Sequence, residues 1–290
     1  MNELKEKCGI VGVYHKDGDV ARYAFFGLFA LQHRGQEASG ITTSDGKDFY
    51  IHKGAGLVSQ VYTEEAMNGL HGHIAIGHNR YSTSGGGALL HAQPVVNKEN
   101  NFSLAHNGNL PSVKALEEFL NSKGLLVSGR TDSELVTDSI DSYLSEGLSL
   151  PDAVEKVFPL LTGAFALTMM TKDILVAVRD SYGMRPLCIG TLNDGYIVAS
   201  ETCALKTIGA TFLREVKEGE MIIIDDDGMR SMQLAPSTPK HDIFEYVYFA
   251  RPDSMLSGKL VYEVRKNFGK ALARECALSV DCVIPIPDTA

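Results

Sequence analysis

Long apolar runs are missing from this sequence. No run approaches the roughly 18 apolar residues that a membrane-spanning helix needs, and the nearest, residues 23–31, is interrupted by Gly27. The first seven residues, MNELKEK, carry charges of both signs and lack the apolar centre of a secretion signal. We therefore expect a cytoplasmic protein without a membrane partner.

Paired cysteines and basic clusters are missing as well. The five cysteines are widely spaced and form no C-x-x-C pair, so the sequence shows neither a zinc site nor a disulfide framework, and we expect reduced thiols. With 27 basic and 36 acidic residues, the formal net charge is −9, and the basic residues are scattered. Such a surface repels phosphate backbones, which excludes nucleic acid as an expected partner.

What is present is an ordinary globular composition with a clear order of elements. Hydrophobic residues make up 44% of the 290 residues, and this length fits one large or two smaller domains. Asp19 is expected to cap a helix over 19–32, and Thr131 with Glu134 forms the capping box of a later helix. Residues 163–234 return to strands. Strands, then helices, then strands predict an α+β fold of sheets covered by helices.

The proline-containing segment 235–240 predicts a linker. Beyond it, 244–249 is expected to be a strand, 259–278 a helix and 282–287 an apolar strand. These three elements cannot close a core of their own, so we expect them to belong to a larger protein or to pair with a separately encoded part. The predicted division is a leader at 1–7, a first domain at 8–240 and the start of a truncated second domain at 241–290.

Cys8 is the first candidate for chemistry. It opens a predicted apolar strand over 8–14, where a cysteine is most often a buried structural residue. It also follows a polar heptapeptide, and removal of residues 1–7 would give Cys8 a free α-amine that can accept the thiol proton. One residue would then supply both nucleophile and base. Position alone leaves both interpretations open.

Three further segments carry side chains suited to an amino acid or a tetrahedral intermediate. Asn107 and Gly108 offer a carboxamide and a backbone N–H that suit an oxyanion, although Asn-Gly is also common in turns. Arg80 offers a planar fork for a carboxylate, although many arginines are simply solvated. Asp132 offers a counter-ion for an ammonium group, although the helix dipole alone favours a carboxylate at that position.

Taken together, these motifs resemble those of class II glutamine amidotransferases. The family's order and approximate spacing are followed by Cys8-Gly-Ile-Val-Gly, Leu31-Gln-His-Arg-Gly-Gln-Glu37, Gly77-His-Asn-Arg-Tyr-Ser-Thr83, His106-Asn-Gly-Asn109 and Thr131-Asp-Ser-Glu134. FEYVYFARPDS at 244–254 and VIPIPDT at 283–289 are similar to the amidophosphoribosyltransferase branch of that family. The resemblance covers essentially the whole chain.

The resemblance implies a fold and a nucleophile. The fold is the four-layer αββα sandwich of N-terminal nucleophile hydrolases, followed by the start of an α/β phosphoribosyltransferase-like domain. Cys8 would attack the side-chain amide of L-glutamine, and water would release glutamate from the resulting thioester. Asn107 and Gly108 would form the oxyanion hole.

The resemblance also assigns the residues that bind glutamine. Arg80 would bind the α-carboxylate and Asp132 the α-ammonium group. Tyr81 and Thr83 would belong to the same pocket, and Arg34 would support it from outside. The alternatives are another class II amidotransferase, or an unprocessed, non-catalytic glutamine-binding fragment in which the leader still blocks Cys8.

In the complete enzyme, the resemblance implies a second reaction. Ammonia would displace pyrophosphate from phosphoribosyl pyrophosphate with Mg²⁺, giving 5-phosphoribosylamine for purine biosynthesis in a homo-oligomer; the Mg²⁺ site is expected outside this chain. Some relatives carry a [4Fe–4S] cluster, and Asp242 stands where their first cysteine ligand would be. Because these clusters are normally held by thiolates, we expect none in this chain.

Overall fold

Two antiparallel β-sheets form the centre of the structure, a computed structural model that describes residues 8–81 and 89–285. The strands of the two sheets are β1 Gly9–Tyr14, β2 Ala38–Ser44, β3 Phe49–Ala55, β4 Ile74–Arg80, β5 Val95–Asn97, β6 Phe102–Asn109, β7 Ala164–Met170, β8 Leu175–Arg179, β9 Cys188–Leu192, β10 Gly195–Ala199, β11 Thr211–Glu215, β12 Glu220–Asp225 and β13 Gly228–Gln233. The seven-stranded sheet has the order β11-β9-β10-β1-β4-β2-β3, and the six-stranded sheet has the order β13-β12-β8-β7-β6-β5.

Helices cover the outer faces of these two sheets, except the last helix, which packs against the segment that follows residue 240. The α-helices are α1 Val20–Ala30, α2 Val58–Val61, α3 Glu64–Asn68, α4 Lys114–Ser122, α5 Asp132–Ser145, α6 Leu150–Val157, α7 Thr202–Ile208 and α8 Val261–Glu275. Short 3₁₀ turns follow α1 and α6, at Gln32–Arg34 and Phe158–Leu160. None of the helices in the described ranges is long and apolar enough to cross a membrane.

The alternation of side chains along β1 shows how the layers form. Successive side chains of a strand point to opposite faces. Val11 and Val13 belong to the apolar cluster shared with α1 and α7, whereas Ile10 and Tyr14 belong to the cluster between the two sheets. A third cluster joins the six-stranded sheet to α4, α5 and α6. The predicted four-layer αββα sandwich is confirmed.

The local sequence signals mark the helix starts correctly. Asp19 caps α1 by accepting a hydrogen bond from the Arg22 N–H at 3.0 Å. At α5, Thr131 Oγ1 accepts from the Glu134 N–H at 3.3 Å, while Glu134 Oε2 accepts from the Thr131 N–H at 2.7 Å, which is the predicted capping box. α1 ends at Ala30, slightly earlier than predicted.

Two strands predicted beyond residue 240 are wrong. Residues Glu245–Phe249 form a π-helical turn, in which Tyr246 and Phe249 are buried while Val247 and Tyr248 are exposed. This three-residue spacing is helical, although aromatic residues favour strands. Of the strand predicted at 282–287, residues 282–285 are exposed and form no strand, whereas residues 286 and 287 lie outside the described residues. A two-stranded hairpin, β14 Met255–Leu256 and β15 Lys259–Leu260, lies between the turn and α8.

Candidate active site

A cavity of about 310 Å³ lies where the start of β1, the end of β4, the end of β6 and the start of α5 meet. Five of the site residues expected from the sequence line it: Cys8, Arg80, Tyr81, Gly108 and Asp132. Strand pairing brings two of these segments together, because Gly9 at the start of β1 pairs with Asn79 near the end of β4. Residues that are distant in sequence therefore reach one end of the sandwich.

Cys8 stands directly before β1 and is 6% exposed. β1 lies inside the seven-stranded sheet, paired on one side with β4 and on the other with β10. The strand that carries the candidate nucleophile is thus held from both sides. Cys8 itself lines the cavity, so its thiol is held by the sheet at a place where it can contact a ligand.

Asn107 and Gly108 lie on β6, on the opposite sheet. Asn107 is 1% exposed, and among the described residues its Nδ2 donor has no hydrogen-bond partner. A buried amide without a partner costs about 1–3 kcal/mol, but Asn107 is not among the residues that line the cavity, so its role as an oxyanion donor stays a prediction. A side chain on Gly108 would place its Cβ 2.7 Å from Phe165 Cα of β7, so only glycine allows this approach of the two strands.

Two cations line the cavity. Arg80 Nη1 donates to the backbone oxygen of His91 at 2.9 Å, and Lys53 Nζ donates to that of Ala92 at 3.0 Å. Burial lowers the pKa of the Lys53 ammonium group. This side of the cavity presents positive charge, which suits the carboxylate of an amino acid.

Asp132 supplies a carboxylate in the same cavity. It is the first residue of α5, and its Oδ1 accepts from the Ser133 N–H at 2.7 Å while its Oδ2 accepts from the Leu110 N–H at 3.3 Å. These bonds fix the carboxylate but leave its side chain 22% exposed. A carboxylate facing a cavity that also holds Arg80 matches the two charges of an α-amino acid.

A buried polar network stands behind Asp132. His106 Nδ1 lies 3.0 Å from Ser133 Oγ and 3.8 Å from Asp132 Oδ2. Gln93 bonds to both Ser133 and His106. Its Nε2 donates to Ser133 Oγ at 3.1 Å, and its Oε1 accepts from the His106 N–H at 2.7 Å. Burial lowers the pKa of the His106 imidazole, which favours its neutral form. The network fixes the start of α5 against β6.

Sequence reasoning assigned no role to several other cavity residues, among them Lys53, Gln93, His106 and Ser133. His106 and Ser133 lie in the same sequence motifs as Asn107 and Asp132, directly beside them. Their position in the sequence therefore indicated that they would lie near the site. Lys53 and Gln93 had no such signal, because the contacts that bring them to the cavity join elements far apart in the sequence.

Asn107 and Arg34 do not line this cavity. Thr83 and the leader lie outside the described residues. Arg34 is 1% exposed and does not line the cavity; its guanidinium contacts the Glu245 carboxylate at 2.8 Å. Burial acts to lower the pKa of Arg34, but the carboxylates of Glu245 and Glu201 outweigh it and raise that pKa. The guanidinium is therefore charged and buried, and the supporting role expected of Arg34 stays a prediction.

The structure provides no obvious metal centre in the residues it describes. Across 8–81 and 89–285, no group of three or more His, Cys, Asp or Glu side chains is arranged to hold a metal ion. Asp242, at the position where the resemblance implied a first cluster ligand, accepts from the Phe244 N–H at 3.0 Å, at the start of the π-helical turn.

Comparison with known proteins places these features in a family context. The sequence model of the family described as "Glutamine amidotransferase domain" matches residues 78–207. Amidophosphoribosyltransferase of Mycobacterium bovis is 44% identical over 297 residues, covering 100% of this chain and 56% of the relative. Amidophosphoribosyltransferase of Bacillus subtilis is 40% identical over 290 residues, covering 99% and 60%. The chain thus spans little more than half the length of these relatives.

Solved structures agree with the sequence relatives. The glutamine phosphoribosylpyrophosphate amidotransferase of Bacillus subtilis, complexed with ADP and GMP, superimposes with a TM-score of 0.89 at 38% identity. A structure described as the allosteric regulatory enzyme of purine biosynthesis gives 0.90 at 40% identity. Each match covers 97% of this chain and 61% of the other chain.

Proposed function

Because this chain belongs to the amidophosphoribosyltransferase family and contains its glutamine amidotransferase domain, we propose that it hydrolyses L-glutamine to glutamate and ammonia at the cavity beside Cys8. One observation carries the proposal: a buried cysteine, a guanidinium and a carboxylate line one cavity of about 310 Å³. The guanidinium of Arg80 and the carboxylate of Asp132 match the two charged groups of an α-amino acid.

The reaction begins once residues 1–7 have been removed. The new α-amine of Cys8 takes the thiol proton, and the thiolate attacks the side-chain amide carbon of glutamine. The oxyanion of the tetrahedral intermediate accepts hydrogen bonds from Asn107 Nδ2 and the Gly108 N–H. The carbon–nitrogen bond then breaks, the nitrogen takes the proton, and ammonia leaves.

The thioester that remains on Cys8 is hydrolysed by water. The same α-amine accepts a proton from the water, the same two donors stabilise the second oxyanion, and glutamate leaves as the thiol reforms. Arg80 and Asp132 hold the α-carboxylate and α-ammonium groups throughout, with Tyr81 in the same pocket. The buried donor of Asn107, unpartnered among the described residues, supports this assignment.

The activity of the whole protein extends the proposal. Ammonia released at Cys8 would react with phosphoribosyl pyrophosphate and Mg²⁺ at a second site, to give 5-phosphoribosylamine for purine biosynthesis in a homo-oligomer. The residues that hold Mg²⁺ would belong to the part of the relatives that this chain does not span. The wide spacing of the five cysteines supports a reducing, cytoplasmic setting.

Glutamate release by the processed chain tests the proposed glutaminase. The chain is first checked by intact mass for loss of residues 1–7, and then supplied with L-glutamine. Two analogues serve as controls: 4-aminobutyramide lacks the α-carboxylate, and glutaramate lacks the α-amine. We expect glutamate from L-glutamine and much weaker hydrolysis of both analogues. A processed, folded chain that releases no glutamate would favour the non-catalytic binding fragment.

A further inference from the structure

Glu245 connects the segment after the 235–240 linker to the sandwich. It lies on the π-helical turn and is 4% exposed. Its carboxylate accepts three hydrogen bonds from the Arg34 guanidinium, at 3.0, 2.8 and 2.8 Å, across a separation of 211 residues. Burial raises the pKa of the Glu245 carboxyl, and the Arg34 charge acts against that shift. A buried charge pair of this kind is costly to break from one side.

Arg34 is also attached to Glu201, which is fully buried. Arg34 Nη1 lies 3.3 Å from Glu201 Oε1. Glu201 Oε2 accepts from the Arg251 N–H at 2.9 Å and from the Ser254 hydroxyl at 2.6 Å. The guanidinium therefore stands between two carboxylates, one from the sandwich and one from the segment after the linker.

The other side of Arg34 leads directly to the cavity. A Cβ on Gly35 would lie 2.7 Å from the carbonyl carbon of Arg80, so residue 35 is in close contact with the Arg80 backbone. The Glu37 N–H donates to the Arg80 oxygen at 3.1 Å. In addition, Arg34 Cβ would lie 3.6 Å from a Cβ on Gly9, the residue after Cys8. Residues 34–37 therefore contact the chain next to both Cys8 and Arg80.

We propose that Glu245 is a positioning residue for glutamine binding. Through its bonds to Arg34, it fixes residues 34–37 against the Arg80 backbone, and so sets where the Arg80 guanidinium meets the glutamine carboxylate. The affinity of the cavity for glutamine then depends on how residues 241–262 are seated on the sandwich. This inference rests on the proposed glutaminase function.

The first test compares Glu245→Gln with the wild-type chain, both beginning at Cys8. We expect the KM for L-glutamine to rise about tenfold, a typical coupling between sites, while kcat changes less than twofold. Asp253→Asn is the matched control, because it removes a carboxylate of the same segment that pairs with Arg251 at the surface and does not contact Arg34. An unchanged KM in Glu245→Gln would overturn the inference.

A double mutant shows whether the effect passes through Arg80. If Glu245 acts by placing that guanidinium, Glu245→Gln should add little to the KM of Arg80→Lys, whereas independent effects would multiply. Multiplying effects would contradict the inference.

Chemical labelling of Cys8 separates positioning from folding. The glutamine analogue 6-diazo-5-oxo-L-norleucine needs Arg80 to bind, whereas iodoacetamide does not. In Glu245→Gln we expect slower labelling by the analogue and an unchanged rate with iodoacetamide; equal slowing of both would indicate general damage and overturn the inference. If Glu245→Gln does not fold, Glu245→Asp, which keeps the charge but shortens the side chain, is measured under the same criteria. A wild-type chain that releases no glutamate would instead contradict the proposed function.

Discussion

At the scale of single residues, Cys8 has the clearest expected effect. In the processed chain, Cys8→Ala should abolish glutamate release, and Cys8→Ser should lose most of it, because a hydroxyl is far harder to ionise than a thiol. A coupled assay for glutamate measures both variants. Cys276→Ala is the control, since Cys276 is an exposed cysteine outside the cavity. Glutamate release that persists in Cys8→Ala would contradict the assignment of the nucleophile.

Asn107 and Arg80 are expected to affect different kinetic constants. Asn107→Ala should lower kcat by about 10²–10³ with little change in KM, because an oxyanion donor acts mainly in the transition state. Arg80→Lys should raise KM by about tenfold or more, because one ammonium cannot reproduce the two-pronged contact with a carboxylate. Steady-state kinetics with L-glutamine distinguishes the two effects.

Each of these variants has a matched control. Asn109→Ala removes the same side chain two residues further along β6, where it is exposed. Arg22→Lys changes an exposed arginine that pairs with Glu64, away from the cavity. Both controls should keep the wild-type constants. A change in KM alone in both Asn107→Ala and Arg80→Lys would refute the division of roles.

The residues predicted to carry the chemistry lie in short sequence motifs, whereas the residues around them in the cavity carry no such local signal. Asn107, Gly108 and Asp132 each carry a local signal of residue type and position. Lys53 reaches the cavity only because β3 pairs with β2, and β2 with β4. Glu245 contacts Arg34 across a separation of 211 residues, and the sequence around Glu245 contains no motif that predicts this contact.

At the scale of secondary structure elements, the start of α5 links stability to binding. Thr131→Ala removes the cap of this helix, and we expect a loss of about 1 kcal/mol in the free energy of unfolding. Because Asp132 and Ser133 occupy the first turn, KM for L-glutamine should also rise. Denaturant unfolding and steady-state kinetics measure the two effects.

Ser149→Ala is the matched control for the cap at α5. Ser149 caps α6 in the same way, through a hydrogen bond from the Asp152 N–H, but α6 contributes no residue to the cavity. It should cost similar stability and leave KM unchanged. If both variants change KM equally, the effect of Thr131→Ala reflects general loosening of the helical layer.

Elements with local signals were predicted well, and those set by distant contacts were not. The caps at Asp19 and Thr131 depend on neighbouring residues, and the structure contains them. The segment 244–249 has strand-forming residues, but the burial of Glu245 against Arg34 and of Tyr246 in a small apolar cluster accompanies a helical turn. Tertiary contacts override residue preference there.

At the scale of the whole molecule, Glu201 predicts a dependence of stability on pH. Burial alone would raise the pKa of this carboxyl, but Arg34, His33 and Ser254 outweigh it and lower the pKa from 4.5 to about 2. A carboxyl whose pKa is lower in the folded state adds stability above its unfolded pKa and loses it as pH falls. The contribution is on the order of 3 kcal/mol.

Thermal unfolding of the wild type and of Glu201→Gln measures that contribution. The Tm difference between the two should be largest above pH 5 and should shrink as pH falls from 5 toward 3. Glu65→Gln, at an exposed position on α3, should differ little from the wild type at every pH. A constant Tm difference for Glu201→Gln across this range would show that Glu201 does not carry the effect.

The Arg34–Glu245 contact also has a consequence for protein engineering, when the sandwich is to be transferred to another enzyme as a separate unit. A unit cut at residue 240 would keep Arg34 but would remove one of its two carboxylates. A unit that continues to Val261 keeps that carboxylate together with the small apolar cluster around Tyr246. The boundary at which such a unit should be cut therefore lies about twenty residues beyond the proline-containing segment.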